Sequence, residues 1–92
     1  DRGIGGATAE AVGGRLSILS KKEQILLVTH SPQVASKANK HWRVIKKITN
    51  EGLPISSIRE LDKNDTKIEL GRMISGKIIT KEAIAAAEKL MP

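Results

Sequence analysis

The feature that most constrains this chain is the stretch ILLVTHSPQVA at 25–35. Four consecutive aliphatic residues run into Thr29 and His30 and then, without a spacer, into Ser31 and Pro32. A short unbroken aliphatic run is the pattern of a strand covered on both faces, as in a parallel sheet. Serine followed by proline is a strong helix-start signal. The serine oxygen accepts an orphan backbone N–H, and proline at the first helical position gives up no donor that was needed. A strand passing straight into a helix belongs to an α/β layer arrangement. It also carries the His30 imidazole to the carboxyl rim of the sheet.

The flanking segments fill in that arrangement. DRGIGG at 1–6 is a turn, and a helix is expected from Ala7, with an apolar stripe at Thr8, Val12, Leu16 and Leu19. Gly13 and Gly14 weaken that helix by about 1 kcal/mol each relative to alanine, which suggests a close backbone approach to a neighbouring strand. The helix after Pro32, carrying Val34, Ala35 and Ala38, is expected to close at Asn39 in a left-handed conformation. HWRVIKKI at 41–48 reads as an edge strand, with Trp42, Val44 and Ile48 on one face and His41, Arg43 and Lys47 on the other; Lys46 interrupts the apolar face. TNEGLP at 49–54 is turn chemistry, and ISSIREL at 55–61 is the return strand of a hairpin. DKND at 62–65 caps a helix to about Ser75 with Leu70, Met73 and Ile74 inward, and Gly76 and Lys77 end it. Thr80 caps a last helix through Ile84, Ala87, Leu90 and Met91.

Composition bounds the function. Trp42 is the only aromatic residue, so the core must be aliphatic. The absence of cysteine excludes disulfides and thiolate metal sites and fits a reducing compartment. No apolar run approaches the ~20 residues of a spanning helix, and no leader pattern opens the chain, so a soluble, cytoplasmic setting without a membrane partner is expected. The chain starts at Asp1, inside a glycine-rich turn and without Met. The expectation is therefore a C-terminal piece of something longer: a single partial domain over 1–92, with a turn at 1–6, an α/β part at 7–48, and a hairpin and helices at 49–92.

Few residues look chemical. His30 at a strand end can donate to a phosphate oxygen or orient a water, helped by the dipole of the helix that follows; equally it can be a helix-entry histidine bonded to local backbone. A glycine fingerprint for a dinucleotide fails in DRGIGG, because Thr8 stands where the third small residue is wanted. Glu23 lies near the spacing of a ribose-binding acid but precedes the second strand. No metal is expected, since no carboxylate lies between His30 and His41. Adjacent His30 and Ser31 do not have the geometry of an activated nucleophile. Glu60, Asp62 and Asp65 read as turn and cap residues. KEAIAAAEK at 81–89 carries alanine and glutamate where a DNA-reading helix would carry arginine, asparagine or glutamine. The formal charge of +6 is concentrated: Lys37, Lys40, Arg43, Lys46 and Lys47 lie between Gln24 and Asn50 with no carboxylate among them. Such a field attracts phosphate-bearing partners, or it is simply a solvated basic face.

Taken together, DRGIGGATAEAVGGRL at 1–16, ILLVTHSPQVA at 25–35 and HWRV at 41–44 resemble the C-terminal end of a RecN-type DNA repair ATPase, a bacterial relative of the structural-maintenance-of-chromosomes and ABC ATPases. RMISG at 72–76 and ITKEAIAAAEKL at 79–90 are also similar to that family's ending. The resemblance implies the C-terminal lobe of a P-loop ATPase head, with a short, mostly parallel sheet, a terminal hairpin and two C-terminal helices. Asp1 would follow the Walker B acids. Arg2, Gly3, Ile4 and Gly5 match the D-loop that faces a second head, in a homodimer sandwiching ATP. Gly5 stands where the broader ABC pattern has Asp, so that contact does not carry over. His30 matches the switch histidine that meets the γ-phosphate. ATP and Mg2+ are implied for the full-length parent, with none held tightly by this chain, which has no phosphate loop, signature helix or Walker B strand. The implied setting is recombinational repair of DNA double-strand breaks at the nucleoid. The alternative is a stand-alone basic module that binds nucleic acid through the five cations and needs no nucleotide.

Overall fold

The computed structural model describes residues 5–92. The expected Asp1, Arg2, Gly3 and Ile4 of the D-loop lie outside the described residues. In chain order the elements are α1 (Gly6–Leu19), α2 (Pro32–Ala35), β1 (His41–Ile48), β2 (Pro54–Leu61), α3 (Lys63–Ser75) and α4 (Lys81–Leu90).

Most element boundaries follow from local chemistry. Ser31 Oγ accepts from the Val34 N–H at 3.4 Å, and Pro32 opens α2. Asp62 caps α3 through the Asp65 N–H at 2.7 Å, and Thr80 caps α4 through the Ala83 N–H at 3.0 Å. Each such cap stabilises its helix by about 1 kcal/mol. Gly76 ends α3 at φ +85°, a conformation that a side chain would disfavour. The hairpin turn is closed by Thr49: its N–H donates to the Leu53 carbonyl at 2.8 Å, and its Oγ1 accepts the Leu53 N–H at 3.0 Å. Gly52 supplies the left-handed residue this turn needs, at φ +80°. Asn39 is not left-handed; Ser36, in the right-handed region, closes α2.

The fold is α/β, with β1 and β2 antiparallel in a two-stranded sheet, His41 opposite Leu61 and Ile48 opposite Pro54. The expected parallel strand at 25–28 is not formed among the described residues. Leu26 and Val28 are 82% and 94% exposed, since no strand lies beside them to pair their backbone or cover their faces. The edge-strand reading of β1 holds, but its faces are reversed. Trp42, Val44 and Ile48 are exposed, whereas His41 and Ile45 on the other face are half-buried.

The core is small and made largely of alanine. Ala35, Leu70 and Ala87 are packed together where α2, α3 and α4 meet, with Met73 and Met91 against them. Ala9, Val34, Leu61 and Ala83 are buried around this cluster. Ile74, expected inward, is exposed. In α1 the buried positions are Ala9 and Gly13, not Thr8, Val12 and Leu19. The reason is steric, because α2 lies too close for larger side chains. A Cβ at Gly13 would come within 3.2 Å of the Gln33 carbonyl oxygen and of Val34 Cα, and within 3.0 Å of Lys37 Cγ. The close approach inferred from the glycine pair is therefore real at Gly13, but its partner is α2 rather than a strand, and Gly14 faces open space.

The adjacent glycines should respond with opposite signs. Gly14→Ala removes backbone freedom at no steric cost and should stabilise by about 0.5–1 kcal/mol. Gly13→Ala forces α1 from α2 and should destabilise by about 1 kcal/mol net, within the range of overpacking. Thermal unfolding followed by circular dichroism distinguishes them; equal shifts would refute the close approach.

Candidate functional site

The turn before α2 is built from its own side chains. The Ser31 N–H donates to Thr29 Oγ1 at 3.0 Å, and Ser31 Oγ donates to the Gln33 Oε1 at 3.1 Å while capping α2. Ser36, 3% exposed, donates its hydroxyl to the Gln33 carbonyl at 2.9 Å. The backbone around His30 is thus pinned on its C-terminal side, and the imidazole is exposed. An exposed ring on a fixed turn suits a group that meets a ligand arriving from outside. The expected help from a helix dipole is small, because α2 is a single turn of four residues. Gly5, the one residue of the expected D-loop among the described residues, immediately precedes α1 and is exposed.

The basic stretch is less available than its sequence implies. Lys37 lies 3.9 Å from Glu10 and reaches the Leu90 carbonyl at 3.5 Å. Lys40 pairs with Glu60 at 3.7 Å, and Arg43 with Glu69 at 3.4 Å. Lys46 and Lys47 are exposed on β1, and no carboxylate among the described residues is paired with them.

The residue that sequence reasoning missed is Glu69. It is 6% exposed, and Arg72 grips it through Nε at 2.9 Å and through Nη2. Arg43, on β1, approaches the same carboxylate. Burial pushes the Glu69 carboxyl up, but the hydrogen bond and charge of Arg72, with Arg43 and His41, outweigh it and hold the group below the usual range. Burial lowers the His41 imidazole from its ordinary value, opposed by the Glu69 charge. On the same face Arg59 stands opposite Arg43, and Asp65 neutralises it at 2.6 Å. Two like charges side by side on a sheet are thus each met by a carboxylate of α3, and this is what seats the hairpin. The only local sign of it in the sequence is the i, i+3 spacing of Glu69 and Arg72.

Two clefts flank this region. One of about 230 Å3 is lined in part by Asn39, His41, Leu61, Thr66 and Met91; another of about 420 Å3 includes Lys63, Asn64, Lys67 and Glu88. Neither includes His30. No group of three or more histidines and carboxylates among them could hold a metal, and no helix among them is long and apolar enough to cross a membrane.

No family model matches the chain. Individual relatives do. It is 48% identical over 91 residues to the DNA repair protein RecN of Xylella fastidiosa strain 9a5c, 41% identical to that of Rickettsia bellii and 38% identical to that of Deinococcus radiodurans. Each match covers 99% of this chain, which spans 16% of each relative's length.

The Glu69 cluster makes stability acid-sensitive. With the folded carboxyl below its ordinary 4.5, its contribution is full above that pH and is lost as the pH falls toward the lowered value. His41, lowered from 6.5, acts in the same direction, because protonation favours the unfolded chain. Glu69→Gln should cost about 2 kcal/mol at neutral pH and flatten the decline of melting temperature below pH 5. An unchanged acid profile would exclude Glu69 as its source.

Proposed function

We propose that this RecN-type chain, which matches a C-terminal segment of those proteins, is the part of a DNA repair ATPase head that carries the γ-phosphate-sensing histidine. In this reading the parent protein binds ATP and Mg2+ between two heads of a homodimer. It acts in the cytoplasm, at the nucleoid, in recombinational repair of double-strand breaks. His30 meets the terminal phosphate, and Asp1, Arg2, Gly3, Ile4 and Gly5 form the turn that faces the second head.

One observation carries the proposal: THSPQVA folds as an exposed histidine on a turn locked to a Ser31-capped helix, directly against the helix that follows the glycine-rich turn. Phosphoryl transfer needs a phosphate cradle, a metal site and a water-orienting group held together. The described residues offer no cluster for Mg2+, and the sequence has no G-x-x-x-x-G-K loop. Those parts are assigned to the rest of the parent, and the metal and nucleotide supply charge neutralisation there. This chain contributes an imidazole that donates to a phosphate oxygen and a turn that fixes its position.

The nucleotide-free basic module is less well supported. Lys37, Lys40 and Arg43 already have carboxylate partners, leaving Lys46 and Lys47 of the five.

In the full-length protein, His30→Ala should lower ATP turnover by about a hundredfold, the scale of one lost transition-state donor, with nucleotide affinity changed far less. Equal losses in both would count against the assignment. The 92-residue chain alone should release no phosphate above buffer in a malachite-green assay. Its binding to DNA should show a log–log salt slope no steeper than about −2, the value for two phosphate contacts. A slope of roughly −4 would indicate that all five cations engage phosphate and would favour the basic module.

A further inference from the structure

The proposed roles of the glycine-rich turn and of His30 leave unexplained why α1 and α2 are packed with almost nothing between them. Three contacts join these helices. At Gly13 the backbones meet, with the Gln33 carbonyl and Val34 Cα each 3.2 Å from where a Cβ would stand. At Gly6, the first residue of α1, the Gln33 Nε2 lies 3.7 Å from a Cβ position. Glu10 and Lys37 pair across the same seam at 3.9 Å. Ala9 and Val34, 2% and 4% exposed, close the seam to water.

Gln33 is central to this arrangement. Its Oε1 accepts from the Ser31 hydroxyl at 3.1 Å, and its carbonyl accepts from the Ser36 hydroxyl at 2.9 Å. Its side chain is therefore bonded to the residue after His30 and lies beside the first residue of α1. Backbone packed this closely at Gly13 leaves little slack to absorb motion, and a close-packed contact transmits displacement.

We propose that Gly13 and Gln33 are positioning residues for His30. The backbone contact at Gly13 and the Gln33 side chain, bonded to Ser31 and lying beside Gly6, make α1, α2 and the His30 turn one rigid unit, so that displacement of the start of α1 moves the imidazole. This rests on the reading of His30 given above and adds the route by which a partner head pressing on one turn adjusts the other. Gly13 and Gln33 touch no reacting group; they act through the placement of His30.

The test uses the full-length protein with Gly13→Val, Gln33→Ala and His30→Ala, and with Gly14→Ala as the control in open space. Hydrogen exchange read by mass spectrometry on the peptide covering 29–36 reports the coupling without nucleotide chemistry, and steady-state ATP turnover reports its consequence. Gly13→Val and Gln33→Ala should speed exchange in 29–36 and lower kcat by about tenfold, a misplacement effect, with KM for ATP held within about twofold of the parent. Gly14→Ala should change none of these. Unchanged exchange in 29–36 for both variants would overturn the coupling whatever the kinetics. Faster exchange with kcat and KM affinity lost in parallel would reduce both residues to a structural role and overturn the positioning claim. Parent-like turnover in His30→Ala, alongside faster exchange in the other variants, would instead remove the proposed role of His30 and, with it, the catalytic consequence drawn here.

Discussion

The arrangement of the C-terminal half depends on one carboxylate. Glu69 is nearly inaccessible, yet it is charged, because Arg72 from its own helix and Arg43 from the hairpin converge on it. Asp65, one turn earlier, does the same for Arg59. The hairpin has little apolar surface turned toward α3; Leu61 is its one buried residue. What holds the sheet in place is therefore directional and ionic. A buried charge left without its partners is costly, so the cluster specifies one orientation of hairpin and helix more than it adds raw stability.

The local devices of this fold were legible in the sequence, and the long-range ones were not. Ser31, Asp62 and Thr80 act within three residues of themselves, so their roles follow from residue type and spacing. Gly52 and Gly76 show the same logic through backbone conformation. The hairpin followed from turn chemistry between two β-prone runs. The buried face of α1 could not be read this way. Hydrophobicity favoured Val12 and Leu19, but the neighbour of α1 is a bare backbone, and the positions that fit are Ala9 and Gly13. Glu69 was hidden for a related reason: Arg43 is 26 positions away in the chain, and nothing near residue 69 announces that contact. The same blindness made five cations look like one open patch, when carboxylates from α1, β2 and α3 meet three of them.

For the candidate site, the sequence indicated only the local placement of His30. His30 was expected at the end of an aliphatic run and before a capped helix, and it stands on that turn, exposed. The aliphatic run itself, 25–28, was expected inside a sheet and instead lies open. A strand's own residues do not determine its partners, and the relatives of this chain are some six times its length.

The alanine-rich core has a consequence for how this chain tolerates change. Among the described residues Leu70 is the only large side chain sealed completely from solvent; the rest of the interior is Ala9, Ala35, Ala83 and Ala87 with Val34 and Leu61, and glycine stands at two close helix crossings, Gly13 and Gly71. There is little to trim from such an interior and no room for additions. Tolerance to substitution is therefore lopsided: drift toward bulk is blocked at the seams, and the chain is confined to small residues at sites where most proteins could exchange one aliphatic group for another.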